Sequence, residues 1–275
     1  MEKNDSIPTI NGIEDLFTTA CKLPYCKINR DVFLTKQLKG KISSEQFVDA
    51  LENGTINAGI PIDMLNKLAD GAVKLETTRA TTLSTAAGIP GGLAMFGTVP
   101  ADLAQFYAHV FRIAQKLAYI YGYKEIDLDD ATQNVLMIFL GVMFGVNAAT
   151  AALAKLAAAN AAKIGARVAA KPLSKYAIYN IAKKVLAWVG VKLTKDGVGK
   201  AVSKVVPIIG GVISGGLTVA TFLPMTKKLQ KELSKFAAMS PESLEKANVA
   251  ADVVLADFEI VSDDVSEGGN EDSCL

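Results

Sequence analysis

The sequence predicts an all-α fold: a single helical bundle with long alanine- and glycine-rich central helices and a Gly-Pro hinge. Apolar residues recur at spacings of three and four along most of the chain, which is the periodicity of amphipathic helices. No stretch of the sequence shows the sustained alternation and hairpin turns that are typical of strands. The chain has 275 residues, of which 50% are hydrophobic, so it can bury a sizeable core.

The N-terminal segment, residues 1–58, is predicted to form short helices. One spans about residues 13–22, a second runs from Asp31 to Leu38, and a third begins at Ser44. Asn53-Gly54 stops the third helix, because glycine adopts positive φ readily and asparagine tolerates it.

The helical core, residues 59–240, is arranged around the hinge. A helix that starts after Pro61 runs to the hinge, where proline removes a backbone donor and glycine permits positive φ. The next helix is predicted to start near Pro100, because proline suits the first helical turn, and to end at Gly122. The segment from Ile89 to Thr98 is therefore expected to be a turn between two antiparallel neighbours. The hinge and packing positions here are Gly88, Pro90, Gly91, Gly92 and Pro100.

The helix after the hinge is amphipathic. Its apolar face carries Leu103, Phe106, Val110, Ile113, Leu117 and Ile120, and another face carries Asp102, Gln105, His109, Arg112 and Lys116. Asp102 and His109 are candidates for an acid-base pair. Seven residues along a helix separate them by about 10 Å, too far for a direct hydrogen bond. We therefore interpret the polar face as a solvated or interhelical stripe, and no catalytic residue is predicted.

The second half of the core is predicted to contain three further helices. A very long one follows Asp129-Asp130 and reaches about Ala170, another runs from Tyr176 to Val189, and the last runs from Pro207 to Ala238 with a bend at Pro224. Glycines spaced four apart place small residues on one helix face, which lets two backbones approach closely. The predicted packing positions in this half are Gly141, Gly145, Pro207, Gly211 and Gly215.

Three windows carry no charged residue: residues 80–101, 131–154 and 205–226. Their length matches a bilayer span. However, prolines, glycines or side-chain amides interrupt each window, so neither hydrophobicity nor continuity suits a stable span. We interpret the windows as central helices of the bundle, with membrane insertion, permanent or conditional, as the alternative.

Three regions of the sequence resemble a known family. The motifs AGIPGG and VPADLAQFYAHVFRIAQKLAYIYGY, and later VPIIGGVISGGLTVATFLPMTKKL, resemble the two signature regions of the bacterial EcsC family. The segment LPYCKINRDVFL resembles the opening of a subset of that family, so the similarity covers roughly residues 23 to 236. The matching motif positions are Gly88, Pro90, Gly91, Pro100, Asp102, Gly122, Pro207 and Gly210. The resemblance implies a helical, cytoplasmic bacterial protein with no agreed catalytic role.

Charge is distributed unevenly along the chain. Residues 151–240 hold 15 Lys and Arg against Asp196 and Glu232, a net of +13, whereas residues 241–275 hold 10 acids against Lys246, a net of −9. A basic module followed by an acidic segment favours a polyanionic partner. The segment 241–275 is predicted to be a largely disordered tail that competes with anionic lipid for the lysines of the basic module.

Lysines of the basic module alternate with an apolar face. On one predicted helix, lysines line one side while Leu229, Leu233 and Phe236 line the other, a pattern typical of a helix that lies on an anionic bilayer. A second helix repeats the arrangement beside the one tryptophan of the sequence. The predicted anion- and membrane-binding residues are Lys183, Lys184, Trp188, Lys227, Lys228, Lys231 and Lys235.

Metal and cofactor chemistry is not expected. Cys21, Cys26 and Cys274 lack the spacing of a zinc site, and His109 is the one histidine of the sequence. No disulfide framework is expected either, since the polar start of the chain has no apolar signal region and favours a reducing cytoplasm.

The sequence therefore predicts a non-enzymatic EcsC-like protein, cytoplasmic and peripheral to the inner face of an anionic membrane, which acts as an accessory or membrane-perturbing factor. Two alternatives are a soluble helical interaction module for a protein partner and an enzyme that uses Asp102 and His109. Nucleic acid is not an expected partner, because no recognised nucleic-acid-binding motif accompanies the lysines.

Overall fold

A computed structural model describes residues 10–88, 95–128, 135–162, 173, 175–193 and 215–267 of the chain. These residues form ten helices and no strand, which confirms the all-α prediction. The helices are α1 (Ile10–Lys22), α2 (Arg30–Leu38), α3 (Ser44–Glu52), α4 (Ile62–Gly88), α5 (Met95–Ile120), α6 (Val135–Phe144), α7 (Asn147–Ala162), α8 (Lys175–Leu193), α9 (Gly215–Ala237) and α10 (Pro241–Glu267).

Helix α5 lies at the centre of the bundle. It packs against α1, α4 and α9 and also contacts α2 and α6. Tyr107 and Phe111 of α5 are fully buried and enclose the ring of Phe17 from α1, with ring centroids 4.8 and 5.5 Å away. Side chains of the N-terminal helices thus belong to the same hydrophobic core as the central helices.

Buried Arg30, the first residue of α2, joins three elements. Its guanidinium donates to the carbonyls of Ala50 and Leu51, at the C-terminal end of α3, at 3.0 and 2.7 Å. It also donates to the carbonyl of Tyr123, beyond the end of α5, at 3.1 Å. The last carbonyls of a helix lack an intrahelical donor, so a buried cation at this end of α3 provides hydrogen bonds there in addition to the one that the N–H of Gly54 donates to Ala50.

The pairing of α4 with α5 is antiparallel. Asn66, early in α4, accepts a hydrogen bond from Tyr121 beyond the end of α5, while Glu76, later in α4, meets residues in the middle of α5. Helix α5 begins at Met95, five residues before the predicted start, so Pro100 lies inside the helix. Pro100 is the sixth residue of α5, so its missing N–H leaves one intrahelical hydrogen bond unmade, the bond to the carbonyl of Phe96.

The predicted long helix after Asp130 is wrong, because Gly145 divides it into α6 and α7. Gly145 has a φ of 85°. Its N–H donates to the carbonyl of Val142, and the N–H of Val146 donates to the carbonyl of Gly141, which together form a Schellman C-cap. Gly141 and Gly145 therefore do not share a helix face: the first packs inside α6 and the second ends it.

The prediction of a largely disordered tail over residues 241–275 is wrong for residues 241–267, and residues 268–275 lie outside the described residues. Residues Pro241–Glu267 form α10, whose main contact is with α7. Leu244, Ala251 and Leu255 of α10 are buried, so the first part of this acidic segment offers enough apolar surface to stabilise a docked helix.

Several predicted positions lie outside the described residues: Pro90, Gly91, Gly92, Pro207, Gly210 and Gly211. Gly88 is the last residue of α4 and Gly215 the first of α9. Among the described residues, no helix combines the length and the apolar character that crossing a bilayer requires.

Candidate functional site

The buried carboxylate of Glu76 on α4 is bound by three side chains of α5. His109 Nδ1 lies 2.7 Å and Arg112 Nε 2.8 Å from Glu76 Oε1, and the ammonium of Lys116 binds Oε2. These three residues recur at spacings of three and four, so they share the face of α5 that meets α4. Arg79, one turn along α4, adds a longer ion pair at 3.9 Å. We call these five residues the Glu76 cluster.

Electrostatics within the Glu76 cluster favour the ionised carboxylate. Burial by itself raises the pKa of Glu76, but the hydrogen bond from His109 and the charges of Lys116 and Arg112 outweigh burial and lower the pKa to about 2. Burial lowers the pKa of Lys116, and the neighbouring Glu76 opposes that change. Because an ionised carboxylate can only accept hydrogen bonds, Nδ1 of His109 carries a proton.

The loop between α1 and α2 covers one side of the Glu76 cluster. Arg112 donates to the carbonyl of Tyr25 and lies 5.8 Å from the centroid of the Tyr25 ring, and that ring is 5.7 Å from the ring of His109. The amide of Gln115 donates to the carbonyl of Cys26 and accepts from the N–H of Ile28, both at 3.0 Å. Helix α5 thus holds the loop through two polar side chains.

The geometry pairs His109 with Glu76, a residue that the sequence analysis did not single out. Asp102 lies in α5, but its side chain is outside the described residues. The polar face was interpreted as either a solvated or an interhelical stripe. His109 and Lys116 are each 4% exposed, which fits an interhelical stripe. A signal for Glu76 was present in the sequence: it shares a helical face with Ala69, Ala72, Val73 and Ala80, so an acid there needs a buried partner.

Burial of His109 and Glu76 limits the chemistry that the Glu76 cluster can perform. His109 Nε2 is buried and has no hydrogen-bond partner in the described part of the chain. A carboxylate that orients an imidazole through Nδ1 is a common arrangement for a general base. Here, however, each oxygen of Glu76 also binds a cation of α5, so what the cluster does in this structure is join α4 to α5.

An exposed row of lysines runs along α9: Lys227, Lys228, Lys231 and Lys235. We call these four residues the lysine stripe. The opposite side of α9 is in the core, where Leu229, Leu233 and Phe236 are buried. The prediction that these apolar residues would face a bilayer is therefore corrected, since α4, α5 and α6 already cover that side of the helix.

Two acidic residues partly neutralise the positive charge of the lysine stripe. Lys227 Nζ lies 2.5 Å from Asp70 Oδ1 of α4, and hydrogen bonds from Lys227 and then Gln230 lower the pKa of Asp70. Lys235 Nζ lies 3.6 Å from Glu232. The side chains of Lys227 and Lys235 are about half exposed, so these ion pairs are weak.

The predicted lysines of α8 lie beside the acidic helix. Lys183 and Lys184 are exposed, and Lys184 Nζ lies 4.9 Å from the ring centroid of Phe258 in α10. Trp188 belongs to α8, with its side chain outside the described residues. Buried Lys155 of α7 forms an ion pair with Asp252 of α10. The main contacts of α10 are thus with α7 and α8. The predicted competition between the acidic segment and anionic lipid for the lysines of the basic module stays a prediction.

Comparisons with known proteins add no identification. No family model matches the chain, and no curated protein or solved structure matches it either. The EcsC resemblance therefore stays a prediction. Within the described residues, no group of His, Cys, Asp and Glu side chains could hold a metal ion.

Proposed function

We propose that this protein binds peripherally to an anionic membrane surface through the lysine stripe, as an EcsC-like accessory or membrane-perturbing factor. One observation carries the proposal: four exposed lysines lie on one side of α9, while the apolar side of the same helix is locked in the core. The contact is therefore electrostatic and leaves the bundle intact. This form of binding needs no insertion of an apolar helix into the bilayer.

The strength of such a contact can be estimated. A lysine near an anionic bilayer contributes about 1 kcal/mol, so four contribute roughly 4 kcal/mol before the share that Asp70 and Glu232 offset. Lys74, one turn beyond Asp70 on α4, adds an exposed cation to the same surface. The attraction must weaken with salt, because the screening length falls from about 10 Å at 0.1 M to about 3 Å at 1 M.

The shape of the stripe favours a flat partner. Lys227 and Lys235 are eight positions apart on one helix, about 12 Å along its axis, and the intervening lysines lie on the same side. Lysine is a flexible point charge, whereas arginine is the residue that recognises phosphate through two parallel hydrogen bonds. A straight row of lysines suits many interchangeable headgroups on a plane better than one shaped polar ligand.

The decisive experiment removes the charges without reversing them. The full chain and the variant Lys227→Gln/Lys228→Gln/Lys231→Gln/Lys235→Gln are compared for cosedimentation with phosphatidylcholine vesicles that contain phosphatidylserine. We expect the variant to lose roughly 100-fold in affinity at low salt, which corresponds to about 3 kcal/mol. Vesicles of phosphatidylcholine alone should bind neither protein.

A matched control uses four other exposed lysines. The variant Lys27→Gln/Lys36→Gln/Lys39→Gln/Lys41→Gln removes the same charge from the N-terminal side of the bundle. Its binding should stay close to that of the unmodified chain. If both variants lose binding equally, net charge rather than the stripe is responsible. If the unmodified chain does not bind the anionic vesicles, the membrane proposal is wrong and a protein partner becomes the leading alternative.

A further inference from the structure

Helix α10 carries apolar residues on the side that faces solvent as well as on the side that it buries. Leu244, Ala251 and Leu255 belong to the core. On the outer side, Val249 and Val253 are one turn apart and are 60% and 62% exposed. Apolar residues on both sides of a helix are typical of one that is covered on both sides.

The exposed apolar residues of α10 are neighbours on one surface. Between residues 249 and 257 the helix has seven exposed residues, of which five are apolar. The five are Val249, Ala250, Val253, Val254 and Ala256. We call them the valine face, since at 3.6 residues per turn they fall on one half of the helix. Single exposed apolar residues are ordinary on a protein surface, whereas a contiguous group favours contact with a partner.

The charge around the valine face is strongly negative. Helix α10 holds eight acidic residues and one lysine, Lys246. Asp252 is exposed and binds Lys155 of α7. Glu242 and Asp257 are also exposed, and the helical repeat places them on the side of the valines, one toward each end of the valine face.

This charge decides which partner fits the valine face. The acids repel a bilayer of anionic lipid. A second copy of the chain would bring a helix of equal negative charge to the same place, which charge repulsion also opposes. A helix with leucines on one side and lysines beside them offers both apolar surface and the opposite charge.

We propose that the valine face is a docking surface for a basic amphipathic helix of a partner protein. The apolar side chains of the partner cover Val249 and Val253, and its cations lie beside Glu242 and Asp257. The buried side of α10 stays packed against α7. This inference does not depend on the lysine stripe, which belongs to α9.

A peptide of leucine and lysine tests the proposal. The probe is a fluorescein-labelled peptide with the sequence LKKLLKLLKKLLKL, whose leucines fall on one side of a helix. Its binding to the full chain is measured by fluorescence anisotropy. The comparison peptide, LEELLELLEELLEL, has the same leucines and the opposite charge. We expect saturable binding of the lysine peptide, weaker at high salt, and no binding of the glutamate peptide.

Two pairs of valines separate the valine face from other exposed apolar residues. The variant Val249→Gln/Val253→Gln removes the centre of the face. Its matched control is Val32→Gln/Val48→Gln, at valines of α2 and α3 that are 53% and 52% exposed. The first variant should bind the lysine peptide roughly 10-fold more weakly than the unmodified chain, because it lacks the apolar area that the peptide covers. The control should bind as the unmodified chain does.

A third variant tests the charges. Glu242→Gln/Asp257→Asn should weaken binding and reduce its dependence on salt, because two of the nearby negative charges are gone. Circular dichroism confirms that each variant is folded, and sedimentation velocity gives its oligomeric state. The proposal is overturned if the unmodified chain does not bind the lysine peptide or if the two valine variants bind it equally. It is also overturned if the chain is a dimer that Val249→Gln/Val253→Gln converts to a monomer, since a second copy then occupies the face.

Discussion

Replacement of Glu76 by glutamine is expected to destabilise the protein strongly at neutral pH. The change keeps the shape of the side chain and removes the carboxylate that binds His109, Arg112 and Lys116. Removal of one partner from a buried ion pair costs about 3 to 5 kcal/mol, because the remaining charge stays buried without compensation.

The magnitude also follows from the pKa of Glu76. The cluster lowers that pKa from 4.5 to about 2, which corresponds to about 3 kcal/mol of stability. Since the folded pKa is depressed, this contribution is complete above pH 4.5 and is lost as the pH falls toward 2. In that window the carboxyl group of the unmodified chain becomes protonated and resembles the amide of the variant.

Urea unfolding followed by circular dichroism measures the effect. At pH 7 the free energy of unfolding of Glu76→Gln should be about 3 kcal/mol lower than that of the unmodified chain, and the difference should shrink as the pH falls below 4.5. The control Glu52→Gln changes an exposed residue and should stay within about 0.5 kcal/mol. Equal stabilities at pH 7, or a difference that persists unchanged in acid, would show that the ionised Glu76 does not stabilise the fold.

Three further predictions concern the bundle. Gly145→Ala should cost about 1 to 2 kcal/mol in urea unfolding, because its positive φ disfavours a side chain; a neutral effect would contradict the C-cap. Gly141→Leu should lower the free energy of unfolding by about 1 to 3 kcal/mol or more, because even a Cβ at this position collides with Ala149 and lies 3.3 Å from Ile181 Cγ2. The control for this collision is Gly71→Leu, since Gly71 is exposed and a Cβ there meets no atom within 4 Å. Truncation after Ser240 removes α10 and should expose apolar surface of α7, measured as a rise in fluorescence of a hydrophobic dye; an unchanged signal would show that α10 contributes little to the core.

Helices with strong local signals were predictable from the sequence. Helix α3 begins at Ser44, as predicted, and the side chain of Ser43 caps it by accepting from the N–H of Gln46. Helix α4 ends at Gly88, the predicted hinge residue. Capping residues and glycines act within a few positions of themselves, so one stretch of sequence contains the information.

Features that depend on contacts between helices could not be predicted in the same way. The periodicity of α9 identifies its apolar face, but such a face can pack in a bundle core or lie on a bilayer surface. Leu229 is buried in the core because the other helices pack against this face of α9. The pairing of Glu76 with His109 joins residues 33 positions apart. The break at Gly145 was missed because the apolar sequence before it and the alanine-rich sequence after it both support a helix, whereas the Schellman bonds form only once the chain turns.

The amide of Gln115 has a consequence for the dynamics of the N-terminal region. Its Oε1 accepts the N–H of Ile28, a bond that a side chain of the central helix provides to a loop 87 residues away in sequence. For that hydrogen to exchange with deuterium, the loop must separate from α5. The protection of this amide therefore reports how firmly the first helices hold to the rest of the bundle, and protection equal to that of α5 would show that both regions open in one cooperative event.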